Sequence, residues 1–162
     1  MSTHFSTVPV EFARQRGAGS STEPLLPLVL VVDDEPLIVE TLAAILNGSG
    51  LAALTAPDGL AALEIARLMP PEMLITDVAM PGMNGFDLAI EVTRIVPDCD
   101  IILFSGQAST SDLVEMHRRT GHEFLTLNKP VHPADLLAHV NECLGRRGWS
   151  TPARIASKNP AS

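Results

Sequence analysis

Acidic residues and one lysine follow short apolar stretches of this sequence. Asp33, Asp34 and Glu35 come directly after one stretch, Asp77 follows a second, and Lys129 follows a third. Carboxylates brought close together repel one another unless a cation neutralises them. Oxygen ligands without nearby His or Cys favour Mg²⁺ or Ca²⁺ over zinc. An ion that keeps several waters and one position open for a phosphate oxygen is best matched by Mg²⁺, which we therefore predict.

Five apolar stretches alternate with five segments of helical periodicity. Continuous runs such as Leu28–Val32 are typical of parallel strands buried on both faces. We predict strands at 28–32, 51–55, 73–76, 100–104 and 124–127, with helices beginning at residues 36, 57, 85, 109 and 133. This alternation predicts an α/β fold, a doubly wound five-stranded parallel sheet with five helices. Chemistry in such sheets collects beyond the carboxyl ends of the strands, where Asp33 and Asp77 would converge.

Composition indicates a soluble globular protein. Of the 162 residues, 46% are apolar and 19% are charged, and the net charge is −8. That charge argues against a non-specific nucleic-acid binder, and no apolar run approaches the roughly 20 residues of a membrane span. Cys99 and Cys143 form no zinc-binding pattern and predict reduced thiols. We therefore expect a cytoplasmic protein with neither nucleic acid nor membrane as a partner.

Charge divides the chain into a domain and two tails. Residues 28–145 carry 17 acidic and 5 basic side chains and contain all the predicted elements. Residues 1–27 are rich in Ser, Thr, Pro and Gly and lack the apolar core of a secretory signal, so they predict a flexible tail. Residues 146–162 carry four bases and no acid and predict a flexible basic tail. No helix-turn-helix pattern follows the domain, so we expect a single-domain protein.

Four motifs at predicted strand ends resemble the receiver domain of two-component response regulators. They are the acidic pair at 33 and 34, the sequence DVAMPGMNG that begins at Asp77, the Ser-Gly pair at 105 and 106, and the Lys-Pro pair at 129 and 130. The resemblance covers roughly residues 28–144. It implies a flavodoxin-like fold and a phosphorylation-switched protein of the stand-alone, chemotaxis type.

The resemblance implies a role for each residue of the metal site. Asp77 would accept a phosphoryl group from a kinase histidine and form an acyl phosphate. Asp34, Asp77 and the backbone carbonyl of Ala79 would bind Mg²⁺. Asp33 would take part directly or through water.

The resemblance also implies a set of groups around the phosphoryl oxygens. Lys129 would pair with these oxygens, and its bond to Pro130 would be a cis peptide that aims the lysine into the cleft. Ser105 would switch inward and donate a hydrogen bond to one oxygen. Ala79 and Gln107 stand at positions that tune dephosphorylation in the family. Because an alanine cannot orient the attacking water, we expect slow self-hydrolysis.

The predicted fifth strand departs from the family pattern. Family members usually place Tyr or Phe three residues before the lysine, and that ring changes rotamer on phosphorylation. Here that position is Thr126, and Phe124 lies five residues before Lys129. The aromatic half of the switch is therefore left open by the sequence.

The resulting hypothesis is a single-domain response regulator and not an enzyme beyond its own phosphorylation and slow dephosphorylation. Its partners would be a histidine kinase or phosphotransfer protein and an unnamed downstream protein, and it would be a monomer or weak dimer. The alternative is a receiver-like interaction domain that is never phosphorylated. A haloacid dehalogenase-type phosphohydrolase would need a second acid where Ala79 stands. Considered singly, the acids at 33–35 could simply cap a helix, Asp77 could form an Asx turn, and Lys129 could be solvated.

Overall fold

One parallel sheet organises the molecule. The computed structural model describes residues 25–106 and 110–149. The strands are β1 (Leu28–Val32), β2 (Ala52–Ala56), β3 (Met73–Asp77), β4 (Asp100–Ser105) and β5 (Leu125–Asn128). The helices are α1 (Pro36–Gly48), α2 (Gly59–Leu68), α3 (Gly85–Ile95), α4 (Thr110–Thr120) and α5 (Pro133–Arg146). All strand pairs are parallel, in the order β2-β1-β3-β4-β5, which confirms the predicted flavodoxin-like, doubly wound α/β fold.

The sheet separates two apolar layers because successive strand side chains point to opposite faces. Leu30 and Val32 face a layer to which α2, α3 and α4 contribute. Val29 and Val31 face the other layer, formed with α1 and α5. All five residues of β1 are buried, as the continuous apolar run predicts for a central strand.

Side-chain caps start two of the helices close to the carboxyl edge of the sheet. The carboxylate of Asp58 accepts a hydrogen bond of 2.8 Å from the backbone N–H of Ala61 at the start of α2. The amide oxygen of Asn84 accepts one of 2.8 Å from the N–H of Asp87 at the start of α3. These bonds satisfy N–H groups that a helix cannot pair internally. They fix the helical ends of the loops that follow β2 and β3.

Where the ends of the observed elements differ from the predicted ones, they differ by one or two residues. The second helix begins at Gly59 and not at 57, because Asp58 is its cap. The fifth strand begins at Leu125, so Phe124 precedes the strand and does not lie in it.

Contacts with the domain continue past residue 145, where the sequence predicts the C-terminal tail to begin. Helix α5 includes Arg146. The guanidinium Nη1 of Arg147 donates a 2.9 Å hydrogen bond to the carbonyl of Glu72, and Trp149 packs against the α1/α5 layer. These contacts join residues far apart in the sequence, which tail composition alone does not reveal.

Several predictions fall outside the described residues. They concern the rest of both tails, residues 1–24 and 150–162, and Gln107. Among the residues that the structure describes, none of the helices is both long enough and apolar enough to cross a bilayer.

Candidate functional site

Three carboxylates meet at the carboxyl edge of the sheet. Strands β1 and β3 are neighbours with Val32 opposite Thr76, so Asp33 and Asp77 emerge side by side. One carboxylate oxygen from each of Asp33, Asp34 and Asp77 lies within 4.8 Å of the other two. Asp33 and Asp77 are buried and Asp34 is exposed. The fold therefore brings together the three acids that the sequence assigns to the metal site.

Lys129 lies against two of these carboxylates. Its Nζ is 3.0 Å from Oδ2 of Asp77 and 3.7 Å from Oδ2 of Asp33. Burial by itself lowers the pKa of Lys129, but the hydrogen bond to Asp77 and the attraction of both carboxylates outweigh it, so the pKa is raised. Three carboxylates facing one ammonium leave an excess of negative charge in the pocket.

The arrangement around Asp33 fits a divalent cation. Burial raises the pKa of Asp33, opposed by the backbone N–H of Glu35 and by Lys129. That N–H donates to Oδ1 at 2.9 Å, whereas Oδ2 is buried without a hydrogen-bond partner. A buried carboxylate oxygen without a donor is costly. A hard cation would satisfy this oxygen, and an all-oxygen set is what Mg²⁺ prefers.

The other predicted site residues follow the ends of β3, β4 and β5. Ala79 is exposed in the loop after Asp77, between the buried Val78 and Met80. Ser105 is buried, and its hydroxyl donates a 3.0 Å hydrogen bond to the carbonyl of Gly106. Its predicted inward switch therefore requires this bond to break.

The peptide bond between Lys129 and Pro130 is cis, as the family resemblance implies. The backbone N–H of Lys129 donates a 2.9 Å hydrogen bond to the carbonyl of Ser105. The lysine is thus tied through its main chain to β4 and through its side chain to the acids.

The two residues considered for the aromatic switch have separate environments. Thr126 is half-buried, and its hydroxyl donates to the carbonyl of Phe124 at 3.3 Å. The ring of Phe124 packs edge-on against the fully buried Phe86, with centroids 5.4 Å apart. Phe124 therefore contacts α3 directly and does not stand in for the ring that Thr126 replaces.

Histidines complete an aromatic cluster that the sequence does not predict. His117 lies 5.1 Å from Phe86 between ring centroids, and His122 stacks on Phe124 at 5.7 Å. His117 is half-buried, and its Nε2 is buried without a hydrogen-bond partner. Its spacing of four residues from the buried Leu113 was the available signal, since residues i and i+4 share a helix face.

Residues 29–141 match the family described as the response regulator receiver domain. The chain belongs to this family. The receiver region thus includes every site residue discussed above, from Asp33 to Lys129. The receiver fold and the acidic cluster at its carboxyl edge agree with this membership.

Curated relatives of this chain are longer than the region that matches. The DNA-binding response regulator MtrA of Mycolicibacterium smegmatis is 33% identical over 129 residues, which are 80% of this chain and 55% of MtrA. The transcriptional regulatory protein PrrA of Mycobacterium bovis is 32% identical over 122 residues, 75% of this chain and 52% of PrrA. The chain therefore spans about half the length of the curated relatives it matches.

Solved structures of receiver domains have the same fold. A response regulator receiver domain from Clostridium thermocellum is 28% identical with a TM-score of 0.68, and the match covers 76% of this chain and 98% of that one. A CheY-like receiver domain protein from Methanospirillum hungatei is 26% identical with a TM-score of 0.69, covering 76% and 97%.

Proposed function

We propose that this receiver domain accepts a phosphoryl group on Asp77 from a histidine kinase or a histidine phosphotransfer protein, with Mg²⁺ as cofactor. The observation that carries the proposal is the contact of 3.0 Å between Lys129 Nζ and Asp77 Oδ2 beside two further carboxylates. Structural ion pairs seldom gather three acids around one lysine, because the excess negative charge is costly unless a cation joins them.

Asp77 acts as the nucleophile. One of its carboxylate oxygens bonds to phosphorus while the bond between phosphorus and the donor's histidine nitrogen breaks. The imidazole nitrogen keeps the bonding electrons and takes a proton from water, and Asp77 becomes an acyl phosphate.

The residues around Asp77 manage charge and position. Lys129 offsets the negative charge of the incoming group, and Ser105 would donate its hydroxyl to a phosphoryl oxygen once it leaves the Gly106 carbonyl. Asp33, Asp34 and the Ala79 carbonyl would hold Mg²⁺ beside Asp77. When bound, the ion supplies positive charge for the equatorial oxygens in the transition state.

The phosphorylated domain would signal by binding a downstream protein or by relaying its phosphoryl group to another histidine. Ala79 carries no polar group to orient a hydrolytic water, so the acyl phosphate should hydrolyse slowly. The chain would then be a soluble, cytoplasmic switch and not a turnover enzyme. DNA binding, named for MtrA, is not part of this proposal.

Intact-mass spectrometry after incubation with Mg²⁺ and acetyl phosphate tests the assignment. We expect one added phosphoryl group on the wild-type chain and none on Asp77→Asn, which keeps the shape but removes the nucleophile. Asp98→Asn is the matched control, because Asp98 is exposed and lies away from the acidic cluster. It should be labelled like the wild type.

Labelling of Asp77→Asn to the wild-type extent would overturn the site assignment. If the wild type also gains no adduct, and a panel of histidine kinases fails as donors, the chain is an unphosphorylated interaction domain. Mg²⁺ provides an independent check, since a ligand of the folded state raises Tm. Unchanged Tm at millimolar Mg²⁺ would count against the metal site.

A further inference from the structure

The loop between β3 and α3, residues 78–84, is fixed at its far end by the backbone of Val78, directly after Asp77. The N–H of Gly85 donates a 2.9 Å hydrogen bond to the carbonyl of Val78. A Cβ on Gly85 would lie only 1.9 Å from the carbonyl oxygen of Asp77. The chain therefore returns onto Asp77 so closely that only glycine fits there.

A second contact holds the same loop against α2. The half-buried side chain of Met83 covers Gly59, the first residue of α2. A Cβ on Gly59 would lie 2.8 Å from Sδ, 2.9 Å from Cβ and 3.0 Å from Cγ of Met83. These distances are far below the ~3.5–4.0 Å of ordinary carbon contacts, so the bare backbone of Gly59 is what lets Met83 lie there.

We propose that Met83, seated on the bare backbone of Gly59, is a positioning residue for the metal site. The loop segment it holds contains Ala79, whose carbonyl is the third protein ligand in the proposed function, on which this inference rests. Met83 would act through the loop backbone and would not itself touch the ion. Such supporting contacts set how accurately ligand oxygens are placed.

The Cβ of Met83 is the atom through which this contact constrains the loop backbone. The Sδ and Cγ atoms move when the side chain rotates, but Cβ is fixed to the backbone. An added methyl group on Gly59 would therefore have to displace either the first turn of α2 or the loop.

The first turn of α2 is the more firmly held of the two. Asp58 caps it through the N–H of Ala61, and Ala62 and Leu63 are buried in the core behind it. The end of the loop at Gly85 is held by the hydrogen bond from its N–H to the carbonyl of Val78. The displacement should thus fall on the loop residues 78–84, which include Ala79.

Gly59→Ala compared with Gly145→Ala tests the proposal. Gly145 is also a helical glycine, but a Cβ there would meet nothing within 4 Å, so it reports the general effect of the substitution. The readouts are the Mg²⁺ concentration that gives half of the full increase in Tm, and the same midpoint for labelling by acetyl phosphate. We expect the midpoint to rise about tenfold for Gly59→Ala and to stay at the wild-type value for Gly145→Ala.

Met83 variants test the same proposal even if Gly59→Ala folds poorly. Met83→Ala should also raise the Mg²⁺ midpoint, and Met83→Leu, which retains most of the contact, should restore much of it. In a Met83→Gly background the Cβ is gone, so adding Gly59→Ala should cause no further rise. Such non-additivity would show that the two residues act through their mutual contact and not independently.

The outcomes separate this inference from the function beneath it. A wild-type chain that shows neither a Mg²⁺-dependent Tm nor labelling refutes the proposed function. If the wild type responds and Gly59→Ala has the same midpoint, the inference is refuted while the function stands. A lower Tm for Gly59→Ala with an unchanged Mg²⁺ midpoint also refutes it, because the contact is then merely structural.

Discussion

The two edges of the sheet both place acids at strand ends beside a cation, with different consequences. At the carboxyl edge, three carboxylates lie together, Lys129 contacts two of them, and a buried oxygen of Asp33 lacks a donor. At the amino edge, the carboxylate of Glu72 accepts from the N–H of Leu28 at 2.6 Å. Arg147 donates to the Glu72 carbonyl and lies 3.6 Å from Oδ2 of Asp100, which is likewise buried without a hydrogen-bond partner.

The difference shows that strand-end acids alone do not make a functional site. The amino edge opposes two acids, Glu72 and Asp100, with Arg147, which suits a structural clasp between the end of α5 and the sheet. The carboxyl edge gathers more negative charge than the protein neutralises. An edge with such an excess favours the binding of a cation.

The largest effect that distinguishes the edges is expected at Cys99, beside Asp100. Burial raises the pKa of the Cys99 thiol to about 12, opposed by Arg147 and assisted by Asp100. Its thiolate should then be about a thousandfold scarcer at neutral pH than that of an ordinary cysteine, making the thiol inert. Thiol labelling of a Cys143→Ser variant should be very slow when folded and fast in denaturant. Fast labelling of the folded protein would show that the amino edge opens readily.

A second contrast compares the two cationic side chains, Lys129 and Arg147. Lys129→Ala leaves carboxylates unneutralised, so it should lower the free energy of unfolding by about 1–2 kcal/mol without metal. Arg147→Ala removes the clasp and should cost a similar amount, about 1–2 kcal/mol. Urea unfolding with and without Mg²⁺ distinguishes them. Mg²⁺ should recover much of the loss for Lys129→Ala and no more than its wild-type effect for Arg147→Ala.

The matched control for this contrast is Arg94→Ala, which breaks an exposed ion pair with Glu91 on α3. It should change stability by less than about 0.5 kcal/mol in either buffer. If Mg²⁺ rescued Arg147→Ala as well as Lys129→Ala, the two edges would not differ in the way described.

The smallest effect concerns the charge of Asp100. Burial raises its pKa above the ordinary 3.8, against the lowering influence of Arg147. The ionised carboxylate is therefore less favourable in the folded than in the unfolded chain, a cost present at neutral pH and lost as pH falls through the raised pKa towards the ordinary value. Asp100→Asn mimics the protonated acid, so it should stabilise the protein by at most about 1 kcal/mol at pH 7.

Unfolding by urea at a series of pH values between 7 and 4 measures this gain, which should shrink as pH falls. The exposed neighbour Asp98 gives the control, since Asp98→Asn should change stability little at any pH. A gain that grows towards acid pH would mean that the Arg147 contact favours the charged form after all.

The sequence predicts the carboxyl edge well for a topological reason. Asp33, Asp77 and Lys129 follow strands directly, and the carboxyl ends of parallel strands share one edge. Their approach therefore depends only on recognising the strands and their order. The amino edge was not predicted, because Arg147 reaches Glu72 across 75 residues from a segment with the composition of a tail.

Side-chain packing between elements was the other part that the sequence could not supply. Whether His117 turns towards Phe86 depends on the rotation of α4 about its axis, which its short apolar stripe barely specifies. The contact of Met83 with Gly59 likewise depends on how the loop after β3 crosses helix α2. Such contacts follow from three-dimensional fit and not from periodicity.

The sheet between the two apolar layers acts as a partition within the molecule. The loop after Asp77 joins α3, whose Phe86 belongs to the same layer as Phe124 and Leu113 of α4. A displacement at Asp77 can thus spread towards α4 without crossing a hydrogen-bonded backbone. Helices α1 and α5 lie behind that backbone with their own separate layer. The domain would accordingly have one responsive side and one constant side.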